Sequence, residues 1–249
     1  MNNKPLALWL KEHYALIRVL LLILLSLPAA TLYYDFNTDN LGVNPLQTLQ
    51  QVSGFWTMVF LCITLLITPL RRQLTYLAQR LHSRYGKRLS DWNWIIRSRR
   101  LFGLASFFYS LLHLLIYVHF DLDYDLAWAL EDMQQKTYLV IGLISFFIML
   151  LLAITSSMFM MKLLGRNWRR LHRLIYPLAI LGLVHQWMAV KAGIYHPWYF
   201  SAVIFALLGY RLLGSYGILI HKPQDDGMEV KARPSLFDRK QPLQSTSEN

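Results

Sequence analysis

Charge is scarce in this sequence. Asp, Glu, Lys and Arg make up 16% of its 249 residues against 55% hydrophobic ones, a balance that leaves the soluble class and points to a chain whose solvent is lipid. Cysteine is nearly missing: the single Cys62 sits inside an apolar run, which excludes a disulfide within the chain and any thiolate-held metal cluster confined to it. Phosphate-cradling glycine loops are missing as well, since none of the 12 glycines falls into a dinucleotide fingerprint or a P-loop. No internal repeat is present. Acidic residues are short relative to basic ones, giving a net charge of +11. That charge is not read as a nucleic-acid footprint, because the Lys and Arg residues lie in short stretches beside long apolar runs rather than along one polar face.

What the chain does have is long apolar runs. A hydrocarbon core of about 30 Å takes about 20 helical residues, and six stretches approach that length: 16–34, 52–70, 101–120, 137–158, 172–190 and 198–213. The expected fold is therefore an all-α integral membrane protein, a six-helix transmembrane bundle. Lys4, Lys11 and Arg18 precede the first run as they would in a leader, but Pro28-Ala29-Ala30 is a poor cleavage site, so that run is expected to be a retained helix. Positive residues stay on the cytoplasmic side. Segment 71–100 holds nine Lys and Arg and segment 161–173 holds five, whereas 35–51, 121–136 and 191–197 together hold two, and the first two of these carry half of the acidic residues. Both termini are thus expected in the cytoplasm, with the third and fifth runs parallel. Residues 1–221 form one transmembrane domain in this reading. The polar stretch 222–249, with Pro223, Pro234 and Pro242, reads as a disordered cytoplasmic tail.

Ionisable side chains are expensive inside a span, which singles out His113, His172 and His185. His113 lies 13 residues after Arg100, and His185 lies 15 after Arg170. Parallel helices carry these two to similar depth, where neutral imidazoles can clamp one planar iron macrocycle from opposite sides. Taken singly, each reads first as an interhelical hydrogen-bonding histidine; the depth-matched pair is read as ligands. His172 is 13 residues from His185, about 20 Å along a helix, and would serve an inner level. The partner of a second haem is due 13 or 14 residues before His113, where Arg100 and Arg99 stand, so a second bis-histidine site is not encoded. His172 and His185 also fall on nearly opposite faces of an ideal helix, with Pro177 between them as a candidate kink. His119 reads as interfacial, and His13, His82, His196 and His221 lie in polar or boundary segments. Arg99, Arg100, Arg169, Arg170 and Arg173 set topology, and as guanidinium groups are also candidates to bind haem propionates or a flavin phosphate.

The stretch Arg99-Arg100-Leu101-Phe102-Gly103-Leu104 running on to Leu112-His113-Leu114-Leu115-Ile116-Tyr117, with Trp168-Arg169-Arg170-Leu171-His172-Arg173-Leu174-Ile175-Tyr176 and His185, resembles the MsrQ (YedZ) family of the ferric-reductase-like transmembrane superfamily. The resemblance runs from about Leu6 to Ile220. It implies a bacterial inner-membrane electron-transfer subunit with one or two b haems and flavin mononucleotide as an associated cofactor. Such a subunit takes electrons from the quinone pool or a cytoplasmic flavin reductase. It passes them to a periplasmic molybdopterin methionine-sulfoxide reductase that repairs oxidised proteins. His113, His172 and His185 match the family's histidines, while the first histidine of the superfamily's third-helix pair is absent. No reductase module is expected in the tail, which is too short for a dinucleotide-binding domain. Two further readings fit the same residues: a stand-alone transmembrane ferric or quinone reductase, and a small permease or assembly factor without haem.

Overall fold

In the computed structural model, which describes residues 13–82, 86–189 and 197–215, the chain is mostly helical and carries no strand among those residues. The elements are α1 (Tyr14–Asn37), α2 (Pro45–Arg80), α3 (Asn93–Ile116), α4 (Leu126–Gln135), α5 (Thr137–Ile154), α6 (Met158–Leu164), α7 (Arg166–Leu171), α8 (Ile175–Ala189) and α9 (Trp198–Ser215). The tail 222–249, His196 and His221 lie outside the described residues.

Among the described residues four segments are long and apolar enough to cross a membrane: Tyr14–Asn37, Pro45–Arg80, Leu89–Asp121 and Thr137–Ile154. Of the last two apolar runs, the fifth forms a shorter helix, α8, of 15 residues, and the sixth is apolar over Trp198–Leu213 within α9. The stretch 172–190 is not one helix: His172–Leu174 is a 3-10 turn and α8 begins at Ile175. Pro177 is consequently in the first turn of α8, where its missing N–H is one the helix would not have used. The break sits before the proline, so the two faces calculated for an ideal helix do not apply to His172 and His185. The stretch 137–158 ends early, at Ile154, where Ser157 caps α6 by accepting from the Met160 N–H. The segment 121–136 holds α4, capped by the Asp125 carboxylate on the Ala127 and Trp128 N–H groups.

Helix α2 is the spine. It lies antiparallel against α3 along small side chains, with Ser106 Oγ donating to the Thr57 carbonyl at 2.9 Å and Gly103 opposite Thr64. Small residues let membrane helices approach closely. The other face of α2 gives Met58, Leu61, Cys62 and Leu65 to a core completed by Met149 and Leu152 of α5, Leu178, Ala179 and Leu183 of α8, and Ile204 and Leu207 of α9. Helix α1 packs by Leu25 against Phe60 and Tyr109. At its Pro28 the Tyr109 hydroxyl accepts from the Ala29 N–H at 2.9 Å and donates to the Leu25 carbonyl at 2.8 Å. It bridges two groups that bond each other directly in a regular helix.

The two ends of the bundle differ in sign. One end gathers Asp35, Asp39, Asp121, Asp123, Asp125, Glu131 and Asp132; the other holds Arg71, Arg80, Arg88, Arg97, Arg99, Arg100, Arg166, Arg169, Arg170 and Arg173. At the acidic end Lys136 donates to Asp132 at 2.8 Å and Tyr117 donates to the same carboxylate at 3.1 Å. The Lys136 bond holds the Asp132 carboxyl below its ordinary range. At the basic end the Arg71 guanidinium forks to the Leu89 carbonyl and Asn93 Oδ1, tying the ends of α2 and α3 together.

Candidate metal centre

Helices α3 and α8 bring His113 and His185 together, with ring centroids 6.2 Å apart and planes at 89°. Each ring is fixed through Nδ1. His113 Nδ1 lies 3.0 Å from the Gln50 carbonyl oxygen and 3.2 Å from Ser53 Oγ; His185 Nδ1 lies 2.8 Å from the Tyr138 carbonyl oxygen. A carbonyl only accepts, so both rings carry their hydrogen on Nδ1 and keep the Nε2 lone pair for a ligand. This is the arrangement that metal-binding histidines favour, the second nitrogen donating to a backbone carbonyl.

The separation also fits. Two imidazoles sharing one first-row metal ion at about 2.0–2.1 Å per nitrogen have ring centres about 6.4 Å apart. Glycines make the room for the rings. A Cβ at Gly142 of α5 would lie 2.7 Å from His185 Cε1, and one at Gly54 of α2 would lie 3.4 Å from His113 Cε1. Among the described residues no group of three or more His, Cys, Asp or Glu gathers to hold a bare ion.

Gln50 reaches outward as well as inward: its side-chain amide donates to Asp121 while its carbonyl faces His113. The helix carrying His113 then widens into a π-helical turn at Tyr117–Asp121, a distortion that recurs at functional sites. His119 falls in that turn, exposed, against Phe120 and Tyr124.

His172 is apart from this pair, in the 3-10 turn at the other end. Its ring lies 4.2 Å from that of Trp168 at 31°, and its Nδ1 is 3.3 Å from the Trp168 carbonyl. Trp168 is itself pinned to the end of α5 by donating to the Thr155 carbonyl at 2.9 Å. The charged group acting on His172 is Arg99. Of the five arginines singled out, Arg99 alone is partly buried; Arg100, Arg169, Arg170 and Arg173 are exposed. Arg99 lies within reach of the like charge of Arg211. Arg211 donates to Tyr176 Oη at 2.6 Å and to the Leu65 carbonyl at 2.7 Å, and its buried Nε has no partner among the described residues.

Sequence reasoning picked out the three histidines and Arg99 but missed Gln50, Ser53, Gly54, Tyr138, Gly142 and Arg211. The glycines carried a usable signal, since a small residue between bulky apolar neighbours, as in Ile141-Gly142-Leu143, marks close approach in a membrane helix. The backbone carbonyls carried none, because any residue supplies one.

Residues 53–183 match the family of ferric reductase like transmembrane components. A relative from Herminiimonas arsenicoxydans, the protein-methionine-sulfoxide reductase heme-binding subunit MsrQ, is 38% identical over 205 residues, covering 81% of this chain and 86% of its own length. Proteins with the same description from Azospira oryzae and Ralstonia nicotianae are 35% and 36% identical, covering 79% of this chain in each case and 78% and 84% of their own lengths.

Proposed function

Because the chain belongs to the ferric-reductase-like transmembrane family and, within it, to the MsrQ haem-binding subunits, we propose that it is the haem-binding membrane subunit of a protein-methionine-sulfoxide reductase, in which His113 and His185 would hold the iron of one b haem. The observation that carries this reading is the pair of imidazoles 6.2 Å apart, each with Nδ1 committed to a backbone carbonyl and Nε2 left as a donor. Haem bound there supplies a one-electron iron couple in a low-dielectric surround. The protein's part is ligation, tautomer control by Gln50 and Tyr138, clearance by Gly142 and Gly54, and exclusion of water by the apolar walls. A pair of histidines suits a metal whose other ligands belong to its macrocycle.

His172 serves an inner level, where a second haem would have a single histidine. Arg99 and Arg211 are placed to take the acidic groups of a cofactor, either haem propionates or the phosphate of flavin mononucleotide. The exposed Arg100, Arg169, Arg170 and Arg173 act chiefly through the positive-inside effect. In this reading 1–221 is a six-span domain in a bacterial inner membrane with both termini in the cytoplasm, followed by the tail 222–249. Electrons enter at the basic end from the quinone pool or a cytoplasmic flavin reductase, and leave at the acidic end for a periplasmic molybdopterin catalytic subunit.

The test is a reduced-minus-oxidised spectrum with quantitative haem assay on detergent-purified wild type and the His113→Ala, His172→Ala and His185→Ala variants. The expected result is a b-type signal that vanishes in the His113 and His185 variants, with His172→Ala reporting on a second haem. A folded wild type that stays colourless after haem supplementation would overturn the reading and favour a permease or assembly factor. Haem-dependent reduction of soluble iron chelates with no transfer to a periplasmic partner would favour a stand-alone reductase.

A further inference from the structure

The two histidines are not held alike. Among the described residues His185 Nδ1 meets one acceptor, the Tyr138 carbonyl at 2.8 Å; His113 Nδ1 meets two, the Gln50 carbonyl at 3.0 Å and Ser53 Oγ at 3.2 Å. Because the carbonyl requires a hydrogen on Nδ1, Ser53 Oγ is also an acceptor toward the ring. The hydroxyl's own hydrogen goes to the Leu49 carbonyl at 2.7 Å, with the Gln50 carbonyl at 3.1 Å as the longer choice. Ser53 is fully buried, at 0% exposure, so water takes no share of either bond. A serine that merely satisfies itself in a membrane helix needs only the bond to the carbonyl four residues back. The lone pair aimed at His113 is surplus to that role.

We propose that Ser53 is a positioning residue that sets the donor strength of His113, and through it the reduction potential at this site. By accepting from Nδ1–H, Ser53 draws that hydrogen away from the ring and makes Nε2 a stronger donor, which favours the oxidised metal. The inference rests on the reading of His113 as a haem ligand. It assigns the two ligands unequal roles: His113 carries a tuning contact from α2, and His185 does not.

The experiment is a redox titration of the haem component that disappears in His113→Ala, on purified wild type, Ser53→Ala and Ser53→Thr, with haem-to-protein ratio and low-spin ferric resonance recorded for each. Ser53→Ala is expected to keep its haem while its reduction equilibrium moves about three- to tenfold toward the reduced form, a rise of about 28–59 mV at 59 mV per tenfold. Ser53→Thr, which retains the hydroxyl, is expected to return to the wild-type potential. An alanine variant with full haem and an unchanged potential overturns the proposal. So does a threonine variant that shifts as alanine does, which would make volume the cause, or an alanine variant that loses the haem, which would make Ser53 structural. A wild type without b haem would instead remove the reading on which the proposal stands.

Discussion

At the scale of single residues, Gly142 is under the tightest constraint around the two histidines. A Cβ there would come within 2.7 Å of His185 Cε1 and 2.8 Å of Nδ1, the atom that donates to Tyr138. Something must shift, and the ring is held by its hydrogen bond. Gly142→Ala is expected to lower haem occupancy about tenfold or more, the scale on which metal sites respond when a ligand's supporting contact is lost. Gly54→Ala, whose Cβ would sit at 3.4 Å from His113 Cε1, is expected to keep most of its haem, and Gly209→Ala, with nothing among the described residues within 4 Å, to behave as wild type. Haem-to-protein ratios of the three variants check this; equal loading of Gly142→Ala and Gly209→Ala would show that the approach is not limiting. The histidines stood out in the sequence because an ionisable group in an apolar run is costly. Gly142 did not, because a glycine in such a run looks the same whether it faces another helix or an imidazole.

At the scale of helices, the sequence located the apolar runs well and their internal breaks poorly. Hydropathy reports how much of a stretch is apolar, and it does not report where the backbone changes pitch. The 3-10 turn at His172–Leu174 and the end of α5 at Ile154 therefore passed unseen. Helix α4 was concealed in a segment read only for its charges, although Asp125 ahead of Leu126 is a recognisable cap. The contact of α1 with α3 was equally hidden, since Tyr109 reads as one aromatic among many. Its hydroxyl serves two backbone groups at once, so Tyr109→Phe keeps the ring and strands both. That substitution is expected to destabilise the bundle by about 1–3 kcal/mol, measured as a lower thermal midpoint in detergent at fixed lipid content. A midpoint equal to wild type would mean that the two groups re-form a direct bond without loss.

At the scale of the whole molecule, the separation of acidic and basic residues to opposite ends makes orientation measurable. The native Cys62 is buried at 8% exposure, so it gives little background for thiol labelling. In intact cells a membrane-impermeant maleimide is expected to label Asp39→Cys, and to reach Lys87→Cys only after permeabilisation. The reverse pattern would invert the proposed path of electrons across the membrane. The bridge at Pro28 bears on how the molecule comes to be made. Tyr109 lies 84 residues beyond Leu25, so while the first helix is leaving the ribosome the hydroxyl that completes it has not been synthesised. Its backbone stays imperfect until the third helix follows it into the bilayer, so the first helix to be made is not the first to be finished.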